Sequence, residues 1–189
     1  MTETVKTLAV RLLDRFEEHI SSGILLCNND DNFDDSLSRT NPMGFIGLHC
    51  TAYLGIVEIV AALLGMKKWD LNATDARGNT AISWAARKGH GAILKILLAQ
   101  EDITPDTFDK RGKTPLQWAA ENGHEELVKM LLERVGVSPN TAGRDGWTPL
   151  SWAAGNGSEG IVKRLLERGD ATPGTADKDG RDGVTPSWV

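Results

Sequence analysis

The sequence predicts an all-α solenoid: short helix pairs joined by hairpin loops and stacked side by side. Three observations carry that prediction. Residues 112–132, GKTPLQWAAENGHEELVKMLL, read as two helices back to back. The same frame returns every 34 residues: Gly44, Gly78, Gly112 and Gly146 mark one place in each copy, and Gly55, Gly89, Gly123 and Gly157 another. A fixed period of this length is the signature of a repeat array. Finally, neither helix of a pair is long enough to be stable alone in water, so each pair must bury its apolar stripe against a neighbour.

The third copy shows why each element forms. Thr114 can accept a hydrogen bond from an orphan backbone N–H and so cap the first helix. Pro115 follows at the first helical position, where its fixed φ fits and its missing donor costs nothing. Leu116, Ala119 and Ala120 share one face at i, i+3, i+4. Gly123 ends the helix, since a residue without Cβ enters the left-handed region cheaply. A second helix is expected over Glu125–Glu133, burying Leu127, Val128, Leu131 and Leu132. Residues 78–98 and 146–166 repeat this pattern closely, and residues 44–64, GFIGLHCTAYLGIVEIVAALL, are a drifted copy. Pro105, Pro139 and Pro173 recur in the connecting loops.

A 34-residue spacing by itself also fits tetratricopeptide repeats, but the motif differs. Gly112, Thr114, Pro115, Leu116, Ala119, Ala120, Gly123 and His124 form Gly-x-Thr-Pro-Leu-x-x-Ala-Ala-x-x-Gly-His, which resembles the ankyrin repeat with one extra loop residue. The resemblance covers residues 44–176 as four repeats, starting near 44, 78, 112 and 146. It implies that the hairpin tips and the concave side of the first helices are exposed for binding.

Around the repeats, residues 1–26 contain an amphipathic helix: Leu8, Leu12, Phe16 and Ile20 fall at i+4 intervals, with Val5 and Leu13 beside them. This helix is expected to cap the open end of the first repeat. Residues 27–43 are polar and acidic and read as a mobile loop. Residues 177–189 begin an incomplete fifth repeat, in which Thr185, Pro186, Ser187 and Trp188 echo a helix start.

Composition narrows the function classes. The chain has 189 residues, 40% of them hydrophobic, and a net charge of −5, so its bulk charge favours neither nucleic acid nor a membrane surface as partner. The apolar window 45–66 has the length of a membrane span, yet it carries Glu58 near its middle and falls in register with the helix pairs. It reads as the buried first repeat. No signal-peptide pattern opens the chain, so an intracellular protein, cytoplasmic or nuclear, is expected. Cys27 and Cys50 show no metal or redox spacing, and Cys50 occupies the place that other repeats give to Trp.

Three apparent chemical motifs fail on their spacing. A calcium loop begun at Asp30 would need Gly and Glu where Asp35 and Asn41 stand. A phosphate loop at Gly112–Thr114 would need a further glycine at Thr107. His90 and His124 share one repeat position, His49 and His19 lie on helices, and no two histidines are at i, i+4 for a metal. No catalytic residue, cofactor or metal is expected. Trp84, Trp118 and Trp152 recur at the repeat spacing, and the expectation is that they fill the seams, each indole N–H finding a partner.

The expected function is a non-enzymatic protein-interaction scaffold or regulatory module, as the family resemblance implies. The copies also resemble the ankyrin tails of fungal NACHT-type signalling ATPases, which would make the chain a detached or truncated sensor segment. A transcription co-regulator is the other alternative. By the repeat frame, Arg77, Lys110, Arg111, Lys113 and Arg144 fall on hairpin tips with Trp147 beside them, while Arg87 and Lys88 fall at the concave end of a first helix. Charge runs are usually solvated faces, and Asp75, Asp109, Asp145 and Glu121 dilute this one. The functional alternative is a groove that steers an acidic protein partner, anchored by Trp147. The acidic stretch 28–35 would then be an internal competitor.

The fourth copy carries Gly155, Gly157 and Gly160 around its helix junction, and a glycine inside a helix costs about 1 kcal/mol relative to Ala. Residues from 146 onward should therefore exchange amide hydrogens fastest among the repeats in native-state exchange. Uniform protection across all four would instead mean that the following tail caps the stack.

Overall fold

The computed structural model describes residues 47–65 and 69–171, together with Thr7; the segments 1–26 and 27–43, and the fifth-repeat start at 177–189, otherwise lie outside the described residues. Within them eight helices follow in four pairs: α1 Gly47–Leu54 and α2 Val57–Gly65, α3 Ala81–Lys88 and α4 Gly91–Leu98, α5 Pro115–Glu121 and α6 Glu125–Leu132, α7 Pro149–Gly155 and α8 Glu159–Glu167. No strand occurs among the described residues, and the all-α repeat fold read from the sequence is the one observed.

The local chemistry follows the motif. Thr80, Thr114 and Thr148 hold extended backbone, and each hydroxyl accepts from the N–H three residues on. Thr114 completes a capping box, because Gln117 Oε1 accepts in return from the Thr114 N–H at 2.9 Å. The second helices begin without a side-chain cap, at His90, His124 and Ser158.

Each apolar repeat position becomes a row running through the stack. Leu48, Ile82, Leu116 and Leu150 form one such row, and Leu63, Leu97, Leu131 and Leu165 another, all buried. Cys50 is buried as expected, whereas Leu132 is only partly buried. The first helices pack closely, α1 on α3, α3 on α5 and α5 on α7, whereas the second helices touch one another more sparingly. Alanines at 52, 86 and 120 on the first helices permit that approach. Leucine-rich second helices hold their layer wider, so the stack bends with the first helices on its inner side.

Neighbouring repeats are also joined by polar contacts that recur with the period. The Lys110 N–H donates to Arg77 O at 2.8 Å, and the Arg144 N–H to Arg111 O at 3.2 Å, linking successive hairpin tips. Gly78 turns at φ +81°, and a Cβ there would lie 2.9 Å from the Lys110 nitrogen, so both the turn and the approach need glycine. His90 donates from Nε2 to Tyr53 O at 3.0 Å, and His124 to Arg87 O at 3.3 Å, each reaching the end of the preceding first helix. Ser158 replaces histidine at the last seam, and Asn156 donates there instead, to Glu121 O at 2.6 Å. The histidines thus have structural work, and no group of three metal-ligating side chains occurs among the described residues.

His49 is the repeat equivalent of Gln117. Gln117 donates to Trp147 O of the next hairpin at 2.7 Å, and His49 donates from Nε2 to Ala73 O at 2.9 Å. Burial holds the His49 imidazole below its ordinary range, although Asp75 and backbone carbonyls pull the other way. The ring is therefore neutral in the folded chain at neutral pH.

A second polar row lies in the loops after the second helices. Asn72 uses both ends of its amide: Nδ2 donates to Asp102 O at 2.7 Å, and Oδ1 accepts from the Thr104 N–H at 2.8 Å. Asn140 donates likewise to Asp170 O. Between them stands Asp106, which accepts from the Ser138 N–H at 3.3 Å but has nothing to donate, and its other oxygen is buried without a partner. Burial raises the Asp106 carboxyl above its ordinary range, with the Ser138 N–H opposing.

Asp106→Asn should restore the missing donor and stabilise the chain by about 1 kcal/mol. The sign of its pH dependence follows from the raised carboxyl. Above the folded pKa, the native state carries a poorly solvated carboxylate and the gain from the amide is full. As pH falls through that value, the native carboxyl takes up a proton first, and the gain shrinks. Thermal melts of both proteins across the carboxylate range check this; a variant no more stable than the parent at neutral pH would refute it.

Candidate functional site

The hairpins and first helices meet along the inner face, and two aspartates organise that junction. Asp75 Oδ1 accepts from the N–H groups of Arg77 and Asn79, both at 2.8 Å, while Oδ2 accepts from the Trp84 indole at 2.9 Å. Asp109 repeats this one unit later: Oδ1 accepts from the N–H groups of Arg111 and Lys113 at 2.9 and 2.8 Å, and Oδ2 from the Trp118 indole at 3.1 Å. Each carboxylate thus closes its own hairpin and ties it to the helix behind.

Trp84 and Trp118 fill the seams, at 2% and 4% exposure. Trp152 departs from the expectation. It is only half-buried, and its indole N–H has no partner among the described residues. The cause is one substitution in the frame, since Gly143 stands where Asp75 and Asp109 stand. Asp145 takes over part of the hairpin closure by accepting from the Trp147 N–H at 3.0 Å.

Cations interleave with these rings. Trp84 meets Tyr53 edge-on at 5.3 Å, and the Lys88 ammonium sits 4.6 Å over the Tyr53 ring. The Arg87 guanidinium lies between Trp84 and Trp118, 5.2 and 4.5 Å from their centroids. Lys113 Nζ lies between Trp118 and Trp152, at 4.6 and 3.8 Å. Trp147 closes the row, 4.7 Å from Trp152. Such contacts contribute about 0.5–2 kcal/mol each, more when water is excluded.

Two expectations about the basic row are corrected by this arrangement. Lys113 is not on a wet tip: it is 5% exposed, drawn in by the rings and by Glu121, whose carboxylate is 2.7 Å from its ammonium. Trp147 is folded in as well, half-buried, with its ring where a Cβ on Gly155 would lie at 3.0 Å. Gly155 therefore has a packing reason beyond a weak helix. Arg87 and Lys88 are half-buried by their ring contacts, and Arg144 is exposed on the last tip.

Four of the cations converge. Arg77, Arg87, Lys110 and Arg111 surround a pocket of about 160 Å³ at the seam of the second and third repeats, together with Asn79, Asp109 and Trp118. Lys110 and Arg111 are exposed, and Phe108, just before Asp109 in the same hairpin, is 56% exposed. Asp109 appeared in the sequence as a charge that dilutes the basic row. Its oxygens are in fact engaged by two backbone N–H groups and an indole, which leaves them facing the protein. The signal for this role was present in the recurrence of Asp five residues before the capping Thr at 75 and 109, and its loss at 143.

A family model described as Ankyrin repeats (3 copies) matches the chain over residues 21–109, 48–142 and 102–182. No curated protein matches it. Among the described residues no helix is long and apolar enough to cross a membrane.

Trp118 stands at the centre of the cation–ring row, so Trp118→Ala should cost about 3–5 kcal/mol, the usual loss for a large buried aromatic. Trp152→Ala should cost clearly less, because its ring is half-buried and its N–H lacks a carboxylate. Chemical denaturation of the two variants checks the order, and equal losses would contradict it.

Proposed function

This chain belongs to the ankyrin-repeat family, and we propose that it is a non-enzymatic interaction module whose inner face and hairpin tips hold an acidic protein partner. Ankyrin repeats mediate protein–protein interaction as a class. The observation that supports an acidic partner here is the convergence of Arg77, Arg87, Lys110 and Arg111 on one pocket. The chain as a whole is acidic, with net charge −5, so this local reversal of sign gives a field that orients an approaching acidic surface.

Stability does not account for Lys110 and Arg111. Both are exposed, and the hairpin uses their backbone N–H groups rather than their side chains. Trp118 forms a wall of the pocket, and Phe108 offers an apolar contact nearby. Aromatic and arginine side chains are the residue types that most often carry binding energy at protein interfaces.

The test starts by capturing partners on the full chain from cell extract and identifying them by mass spectrometry. The affinity of an identified partner is then measured at low and high salt, for the parent and for the Lys110→Glu/Arg111→Glu variant. The expected outcome is about a tenfold or greater loss in the variant, and a marked loss with salt in the parent. Affinity indifferent to both would sink the proposal.

A further inference from the structure

The pocket between the second and third repeats carries more positive charge than the repeat frame requires. One repeat later, the places of Arg77, Arg87, Lys110 and Arg111 are taken by Arg111, Glu121, Arg144 and Asp145, so two of the four cations become acids. One repeat earlier, the places of Arg87, Lys110 and Arg111 hold Tyr53, Ala76 and Arg77. The first helices also stack on one another at those seams. The four cations together are peculiar to one seam, and packing accounts for Arg87 but not for the exposed side chains of Lys110 and Arg111.

We infer that this pocket receives a phosphorylated serine or threonine side chain of the protein partner, an inference that rests on the reading of the chain as a basic protein-binding module. The size is suitable: about 160 Å³ is the space of roughly five waters at ~30 Å³ each, enough for a tetrahedral phosphate. The charge is suitable too. The residues lining the pocket include four cations and one carboxylate, Asp109, whose oxygens are held by the N–H groups of Arg111 and Lys113 and by Trp118. A partner's Asp or Glu would bring a single negative charge, whereas a phosphate monoester brings about −1.5 to −2 near neutral pH and three acceptor oxygens.

The donors are also held in place. The Arg87 guanidinium is sandwiched between Trp84 and Trp118, so its planar fork is ordered before a ligand arrives. The main chain that carries Lys110 and Arg111 is pinned by two bonds, Lys110 N–H to the Arg77 carbonyl and Arg111 N–H to the Asp109 carboxylate. Arginine forks match phosphate oxygens in pairs, and lysine adds a point charge. A peptide is favoured over a phosphorylated lipid because ankyrin repeats as a class mediate protein–protein interaction. Among the described residues, the exposed large apolar side chains, Leu54, Phe108, Val135 and Leu166, are also dispersed along the sequence rather than grouped in one segment, as a lipid-inserting patch would need.

The probes are N-acetyl-O-phosphoserine N-methylamide, its serine and glutamate counterparts, inorganic phosphate, and vesicles bearing phosphorylated inositol lipid. Each is titrated into the full chain and followed by amide NMR shifts and tryptophan fluorescence. The expected result is that the phosphoserine probe binds at least tenfold tighter than the glutamate probe, and moves the Lys110 and Arg111 amides and the Trp118 indole. Its affinity should fall as pH drops through the second phosphate pKa, near 6. Lys110→Gln/Arg111→Gln, at exposed positions, should lose about tenfold or more with an unchanged melting temperature, and Arg87→Lys should lose affinity while keeping the charge.

Equal binding of the glutamate and phosphoserine probes would overturn the inference. So would equal binding of inorganic phosphate and the phosphoserine probe, or vesicle binding without probe binding. A partner that stays bound after phosphatase treatment but is lost on Lys110→Glu/Arg111→Glu also overturns it, and leaves the acidic-partner reading standing. A partner held equally by parent and charge-reversed chain overturns both.

Discussion

The carboxylates of Asp75 and Asp109 are the contacts on which the inner face depends. Each joins groups that the chain brings together from three places: two backbone N–H groups of its own hairpin and the indole of the helix behind. A hairpin held in this way presents a fixed tip to its neighbour, and the backbone bonds between tips follow from that. Gly143 shows the dependence by its absence of a side chain. With no carboxylate at that place, the Trp152 N–H goes unmatched among the described residues and the ring is less completely buried than those of Trp84 and Trp118.

Interleaving cations with tryptophans resolves a conflict that the repeat frame creates. A row of large rings on the inner face cannot stack directly, because the repeat spacing leaves gaps between successive rings. Arg87 and Lys113 fill two of those gaps, and the rings' negative faces attract their charges. The same contacts restrict the guanidinium of Arg87, which then stands as an ordered donor beside the pocket. One side chain thus packs against two rings and also lines the pocket.

The seams are alike in apolar packing and unlike in charge. Leucine and alanine rows run through all four repeats because every helix pair faces the same problem of burying its stripe. Charged positions are free of that constraint. Glu121, in the place of Arg87, pairs with Lys113 at the third seam, whereas four cations and one carboxylate line the pocket at the second. Repetition supplies the surface, and departures from it make one part of the surface distinct.

The fold was legible in the sequence because it rests on local and periodic signals. Thr114 before Pro115, the alanines at 119 and 120, and glycine at 123 specify one helix and its end, and a fixed period says how units stack. The burial of Trp84 and Trp118 followed from the same periodicity. The basic row was also visible as residue types on hairpin positions. What the sequence did not disclose was which of those cations face solvent. Lys113 and Lys110 differ by three positions in one hairpin, yet the rings of Trp118 and Trp152 and the carboxylate of Glu121 draw the first inward. Trp147 is likewise turned onto Trp152 by the space over Gly155. Repeat periodicity fixes where a Cα lies, but a long side chain settles according to neighbours that come from other repeats, and only the tertiary structure brings those together.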